Sequence, residues 1–151
     1  MRRPWRWRMT AAMTDPLYQK ELLRLAAASG LRGRLVCDCA HGRAANPLCG
    51  DELTFDLVRD ASGRAARLGF ECHACILVQA SAELLAREGE GHTRDEIATM
   101  KDDVAQMLLG NPPDGTGAKP FAVFSGVVEH RNRHHCVLLP FDALLKAFDS
   151  A

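Results

Sequence analysis

The chain has 151 residues and balances 19 basic against 19 acidic side chains. That length suits one domain, which buries enough apolar surface to fold without disulfide staples. The balanced charge gives no electrostatic reason to expect nucleic acid or an anionic membrane as a partner. Six cysteines without a secretory signal peptide or a transmembrane span indicate a cytoplasmic protein, whose thiols are available as ligands or nucleophiles.

The first 14 residues differ in composition from the rest of the chain. Four arginines and two tryptophans fall within the first eight residues, and no acidic residue precedes Asp15. No apolar stretch long enough for an export signal follows Arg2 and Arg3. We therefore interpret residues 1–14 as a disordered basic extension and residues 15–151 as the folded domain.

The first half of that domain predicts one helix, a short strand and a hairpin. Asp15 and Pro16 are a cap residue and a first-turn proline, and the helix they begin should end at Gly30. A short strand is predicted over Leu35 to Cys39. The hairpin follows from alternating apolar residues on both sides of a turn at Gly63, with Thr54 and Asp56 on the opposite face. Its apolar face comprises Leu53, Phe55, Leu57, Ala66, Leu68, Phe70 and Cys72.

The second half predicts helices. Residues 74–82 are almost all small or apolar and indicate a buried helix that runs to about Arg87, with Cys75 in its first turn. Thr93 and Glu96 form a capping box for the next helix, and residues 111–119 are a Pro/Gly loop before a short apolar segment at 121–128. Two helices carry apolar stripes, made of Ile97, Met100, Val104 and Met107, and of Leu138, Phe141, Leu145 and Phe148. The predicted fold class is α+β, a small antiparallel three-stranded sheet packed against several helices.

Three thiols and one carboxylate from separated segments are the candidate metal ligands. Cys49, Asp51, Cys75 and Cys136 are the donor types that a tetrahedral zinc ion or an iron-sulfur cluster uses. Gly50 permits a tight turn that brings Cys49 and Asp51 to one ion. Cys75 and Cys136 lie near predicted helix starts, where unpaired N–H groups stabilise a thiolate.

The other cysteines and one histidine have alternative interpretations. Cys72 falls on the apolar face of the hairpin, and we interpret it as a small buried hydrophobic residue. Cys37 and Cys39 would form a second, structural zinc site if they met Cys72 and Cys75. His135 is either a ligand or proton relay in place of Asp51, or a solvated loop histidine.

Three sequence motifs resemble one known family. Residues 46–51 read NPLCGD, residues 70–81 read FECHACILVQAS, and residues 135–144 read HCVLLPFDAL. In this order they resemble the cysteine motifs of the U-type scaffold proteins of iron-sulfur cluster assembly, the group of IscU, SufU and the NifU N-terminal domain. The resemblance extends from Leu17 to Phe148 and implies a SufE/NifU-like fold.

The resemblance implies a function. A protein of this kind is a scaffold rather than an enzyme, and it accepts sulfur from a cysteine desulfurase. It binds iron or a labile [2Fe-2S] cluster through Cys49, Asp51, Cys75 and Cys136 and passes the cluster to recipient apo-proteins. Asp51 is a harder donor than a thiolate, so it should hold a cluster less tightly and ease its release.

Two features of the chain resemble different branches of the family. The stretch between Cys75 and Cys136 is long, as in SufU proteins, and an insertion would fall within residues 101–130. This favours a zinc-dependent sulfurtransferase, in which zinc holds the same four side chains and one thiolate, that of Cys49, Cys75 or Cys136, leaves the metal to accept sulfur. His135 resembles the IscU branch and favours the cluster scaffold. A zinc-stabilised interaction module without sulfur chemistry is the third hypothesis.

Overall fold

The computed structural model describes residues 16–111 and 116–150, so the prediction for residues 1–14 lies outside the described residues. The elements, in chain order, are α1 (Pro16–Arg32), β1 (Ala40–Asn46), β2 (Asp51–Arg59), β3 (Ala65–His73), α2 (Ile76–Gly89), α3 (Arg94–Leu108), a 3-10 helix (Thr116–Val127), a short 3-10 turn (Arg131–Arg133) and α4 (His134–Asp149). No helix in these ranges is long and apolar enough to cross a membrane.

The sheet is antiparallel, with strand order β1-β2-β3, which confirms the α+β class and the hairpin. Phe55 lies opposite Phe70, and their ring centroids are 5.2 Å apart. One detail of the apolar face was wrong. A register irregularity at Val58/Arg59 buries Ala65 and leaves Ala66 exposed, because a bulge changes which side chains point inward.

The strand predicted over Leu35 to Cys39 is wrong: none of these residues lies in a strand, and the first strand is Ala40–Asn46. The Leu35 N–H bonds to the Asp56 side chain at 2.9 Å, so it is not available for a strand ladder. The observed strand, AHGRAAN, contains no β-branched or aromatic residue, and strand propensity therefore does not mark it.

Small residues in β1 let α4 pack directly on the sheet. Gly42 and Ala44 are buried in β1. A Cβ on Gly42 would overlap the carbonyl oxygen of Ala143 and the backbone nitrogen of Ala147. Only glycine at position 42 permits this close approach. The small residues of β1 are therefore explained by the packing of α4 against the strand.

The helical layer follows the predicted stripes in part: in α4 Phe141 and Phe148 are buried, but Leu138 and Leu145 are only half-buried. Thr93 and Glu96 form the predicted capping box. The 3-10 helix packs into the core through Phe121, whose ring centroid is 5.2 Å from that of Phe141. The apolar stripe of α3, Ile97, Met100, Val104 and Met107, is buried.

The hairpin was expected to have one buried face, but Asp56, on the opposite face, is also fully buried. Residues 33–35 cover that face of the sheet, and Gly69, opposite Asp56, leaves room for them. Arg34 Nε donates to the Asp56 carboxylate at 2.7 Å, and the Leu35 N–H and His41 Nδ1 also bond to it. Burial alone would raise the pKa of Asp56, but these hydrogen bonds outweigh it and lower the pKa.

We predict that Asp56→Asn destabilises the fold by about 2 kcal/mol at neutral pH, because a charged hydrogen-bond acceptor is lost. A lowered carboxyl pKa stabilises the folded state above the unfolded value of 3.8, and this stabilisation is lost as the pH falls through the lower folded value. Urea unfolding should therefore show a large difference from wild type at about pH 6 and a smaller one at about pH 3. Asp102→Asn, at an exposed position, is the control and should show no difference at either pH.

Candidate functional site

The first part of the site is the turn between β1 and β2. Gly50 has φ of 72°, a left-handed conformation that favours glycine. The turn is closed by a hydrogen bond from the Cys49 N–H to the Asn46 carbonyl at 3.2 Å. Cys49 is exposed, whereas Asp51, the first residue of β2, is only 5% exposed.

The second part is the N-terminus of α2. Cys75 is the N-cap residue, one position before the predicted first turn. Its N–H donates to Asp51 Oδ1 at 3.0 Å, and its own side chain makes no capping bond. The sulfur is therefore left available beside the positive end of the helix.

The third part is the first turn of α4, which carries His135 and Cys136. The Cys136 side chain is 1% exposed, and its sulfur lies 3.9 Å from Asp51 Oδ2. His135 Nε2 is 3.5 Å from the Cys136 sulfur and 3.5 Å from the Cys49 sulfur. The imidazole thus lies between the two thiols. Burial and the neighbouring Cys75 raise the pKa of Cys136.

These side chains form two overlapping groups of candidate ligands. Within the described residues, Cys49, Asp51 and His135 form one group, and Asp51, Cys75 and Cys136 form the other, with donor atoms within 4.8 Å of one another in each. The predicted set of four residues does not form a single group, because Cys49 meets His135 rather than the other two thiols. Asp51 belongs to both groups and joins them.

Sequence reasoning did not identify Arg133, which lies beside the thiols. Burial alone would lower the pKa of the Arg133 guanidinium, but the neighbouring Cys75 and Cys136 outweigh it and raise the pKa. Arg133 is the N-cap residue of α4, three positions before Cys136. Side chains three positions apart at a helix start lie close together. This spacing was the sequence signal that could have placed Arg133 beside Cys136.

Two residues of α2 hold the cysteine segments in place. Gln79 Nε2 donates to the carbonyl of Ala74 at 2.7 Å, which fixes the residue before Cys75. Ser81, which is fully buried, donates to the carbonyl of Val137 at 2.6 Å, which fixes the residue after Cys136. Both donors, Gln79 and Ser81, belong to the QAS segment of the second motif, residues 79–81.

The remaining cysteines lie outside both groups. Cys72 is half-buried against the core, as predicted, and burial followed by the nearby Cys75 raises its pKa to about 11. Cys37 and Cys39 are bonded to each other as a disulfide. The second zinc site, with Cys72 and Cys75, is therefore not formed, and these two thiols are not free as expected.

Comparison with known proteins places the chain beside one group. Residues 17–148 match the model of the family described as NifU-like N terminal domain. The iron-sulfur cluster assembly scaffold protein IscU of Thermotoga maritima is 28% identical over 132 residues, which cover 87% of this chain and 92% of that protein.

Two solved structures share the fold. The N-terminal part of a nitrogen-fixing NifU-like protein from Brucella abortus has a TM-score of 0.79 and 30% identity, covering 91% of this chain and 95% of that one. A protein described as an iron-sulfur cluster assembly scaffold for the SUF system, from Fervidobacterium islandicum, has a TM-score of 0.76 and 26% identity, covering 85% of this chain and 93% of that one.

We predict that Ser81→Ala weakens metal binding about tenfold, as loss of a residue that orients a ligand does, because the first turn of α4 loses its tie to α2. Zinc affinity and melting temperature are both measured. Ser29→Ala is the matched control, since Ser29 is also buried but donates only to Ala26 in its own helix. Equal loss of zinc affinity in both variants would contradict a positioning role for Ser81.

Proposed function

Since this chain belongs to the NifU-like N-terminal domain family, we propose that it is an iron-sulfur cluster assembly scaffold that accepts sulfur from a cysteine desulfurase. Iron or a labile [2Fe-2S] cluster is its cargo, and apo-proteins are the recipients. The names of the relatives from Thermotoga maritima and Fervidobacterium islandicum support the scaffold role. The proposed ligands are Cys49, Asp51, Cys75 and Cys136, with His135 as a further donor.

The observation that carries the proposal is the position of Asp51 in both ligand groups. Thiolates suit thiophilic iron and zinc, and imidazole suits both metals. The carboxylate is the hardest donor and the one common to both groups. A metal held in part by this oxygen is held less tightly than one held by thiolates alone, which suits a protein that must release its cargo.

We assign the first sulfur acceptance to Cys49, because its side chain is exposed and Cys136 is buried. The Cys49 thiolate attacks the terminal sulfur of the desulfurase persulfide. The S–S bond of the donor breaks, the desulfurase cysteine leaves as a thiolate, and Cys49 carries the new persulfide. His135 Nε2, 3.5 Å from the Cys49 sulfur, is placed to take the thiol proton.

The second candidate function is a zinc-dependent sulfurtransferase partner of the desulfurase. Two observations favour it. The 3-10 helix Thr116–Val127 lies within residues 101–130, where the insertion expected for the SufU branch would fall, and the Fervidobacterium islandicum protein of the SUF system shares the fold. In this interpretation zinc is held by the same residues, and the Cys49 thiolate leaves the metal to accept sulfur while the other ligands keep zinc bound.

Single Cys→Ser substitutions should separate ligands from bystanders. We predict that changing Cys49, Cys75 or Cys136 removes most of the bound metal, because each supplies a thiolate of the site. Cys37→Ser, Cys39→Ser and Cys72→Ser are the controls and should keep it. Metal content after anaerobic purification is the measurement, and metal loss confined to the control variants would refute the ligand assignment.

Substitutions of Asp51 should distinguish the two functions. If a [2Fe-2S] cluster is the cargo, we predict that Asp51→Ala makes it longer-lived and slower to transfer, because a labile oxygen donor is removed. Asp51→Asn is the matched variant, since the amide oxygen still accepts from the Cys75 N–H without the charge. Cluster lifetime is measured by visible absorption after anaerobic reconstitution.

The same variants are tested for persulfide formation by the desulfurase with zinc bound. No cluster in any of the proteins, with zinc binding and sulfur acceptance lost together in Asp51→Ala, would support the transferase. A variant that changes neither cluster lifetime nor sulfur acceptance would show that Asp51 is not a ligand.

A further inference from the structure

Cys37 and Cys39 form a pair that the proposed function does not use. They are joined by a disulfide, with their Cα atoms 5.4 Å apart. They precede β1, whereas Cys49 and Asp51 follow its other end. A strand rises about 3.3 Å per residue, so the seven-residue β1 separates the pair from the metal ligands by about 20 Å.

The pair is open to attack from solvent. Cys37 and Asp38 are exposed and Cys39 is half-buried, and the preceding Val36 is fully exposed. Exposed disulfides are more easily reduced than buried structural ones and are the ones used for regulation or catalysis. Where cellular thiols keep a compartment reducing, the disulfides that do form are usually transient and catalytic or redox-sensing.

The backbone on both sides of the pair is fixed to the same strand. On one side, the Leu35 N–H and Arg34 Nε bond to the buried Asp56 of β2. On the other side, Ala40 pairs with Leu57, the next residue of β2. Only residues 36–39 lie between these anchors, so reduction cannot let the two thiols drift apart. Closure of the disulfide is then an intramolecular reaction with a high effective concentration.

We propose that Cys37 and Cys39 are a thiol–disulfide exchange site whose substrates are external thiols, either small molecules or a dithiol protein. A thiolate of the external dithiol attacks the Cys37 sulfur, the Cys37–Cys39 bond breaks, and Cys39 leaves as a thiolate. The second thiolate of the same external dithiol then attacks the sulfur of that dithiol that is bonded to Cys37. Cys37 leaves as a thiolate. In total the external dithiol gives up two electrons and two protons and leaves as a disulfide, and Cys37 and Cys39 become two thiols.

The first experiment equilibrates the full chain with graded ratios of oxidised to reduced dithiothreitol. Samples are quenched with acid and alkylated, and the label on each cysteine is read by peptide mass spectrometry. We expect Cys37 and Cys39 to lose the label together, at one ratio, while Cys72 keeps it. Full labelling of both at every ratio, or disulfides from either to another cysteine, would overturn the proposal.

The second experiment follows the mixed disulfide formed with oxidised glutathione. In the reduced wild type, the cysteine of the pair that carries no glutathione should attack the other one, expel glutathione and form the Cys37–Cys39 disulfide. The glutathione adduct should therefore disappear at least about tenfold faster than in Cys37→Ser or Cys39→Ser. Arg34→Gln, at a partly exposed side chain, should slow closure because one anchor is weakened. Adducts of equal lifetime in wild type and single variants would show that the two thiols act independently.

Discussion

The buried carboxylate of Asp51 is the interaction on which the site depends. One oxygen accepts the N–H of Cys75 at the start of α2, and the other faces the sulfur of Cys136 in α4. A buried polar group is stable only with such partners, and through them the sheet and the two helices meet at this residue. The same carboxylate that organises the fold around the thiols is therefore available as a ligand.

Close backbone approach sets the position of the third cysteine. Gly42 lets α4 lie against β1, and Ser81 ties α2 to the residue that follows Cys136. These contacts join residues far apart in the chain, so the thiols are placed by rigid elements rather than by a loop. Cys49 is the exception: it lies in an exposed turn, where it can meet a partner protein.

The opposite end of β1 is organised by a second buried carboxylate. Asp56 holds the segment before β1 through Arg34 and Leu35 and also bonds to His41 of β1, as Asp51 holds the start of α2. The sheet thus carries two cysteine-containing ends. One offers ligands around a shared carboxylate, and the other holds a disulfide between two anchored stretches of backbone.

Much of the fold could be predicted because its signals are local. The capping box at Thr93, the stripe of α3 and the alternating apolar residues of each hairpin strand follow from periodicity and cap residues within a few positions of one another. The burial of Asp56 and the start of β1 at Ala40 could not be predicted, because both depend on which segment covers the sheet.

The sequence by itself determined the family motifs, the α+β class and the candidate residues Cys49, Asp51, Cys75 and Cys136, since these are carried by residue type and spacing. Only the tertiary structure decided how they meet. His135 lies between the sulfurs of Cys49 and Cys136, and Arg133 lies beside two thiols. The physical reason is distance along the chain: Cys49 and His135 are 86 residues apart, and only the packing of α4 on the sheet brings them together.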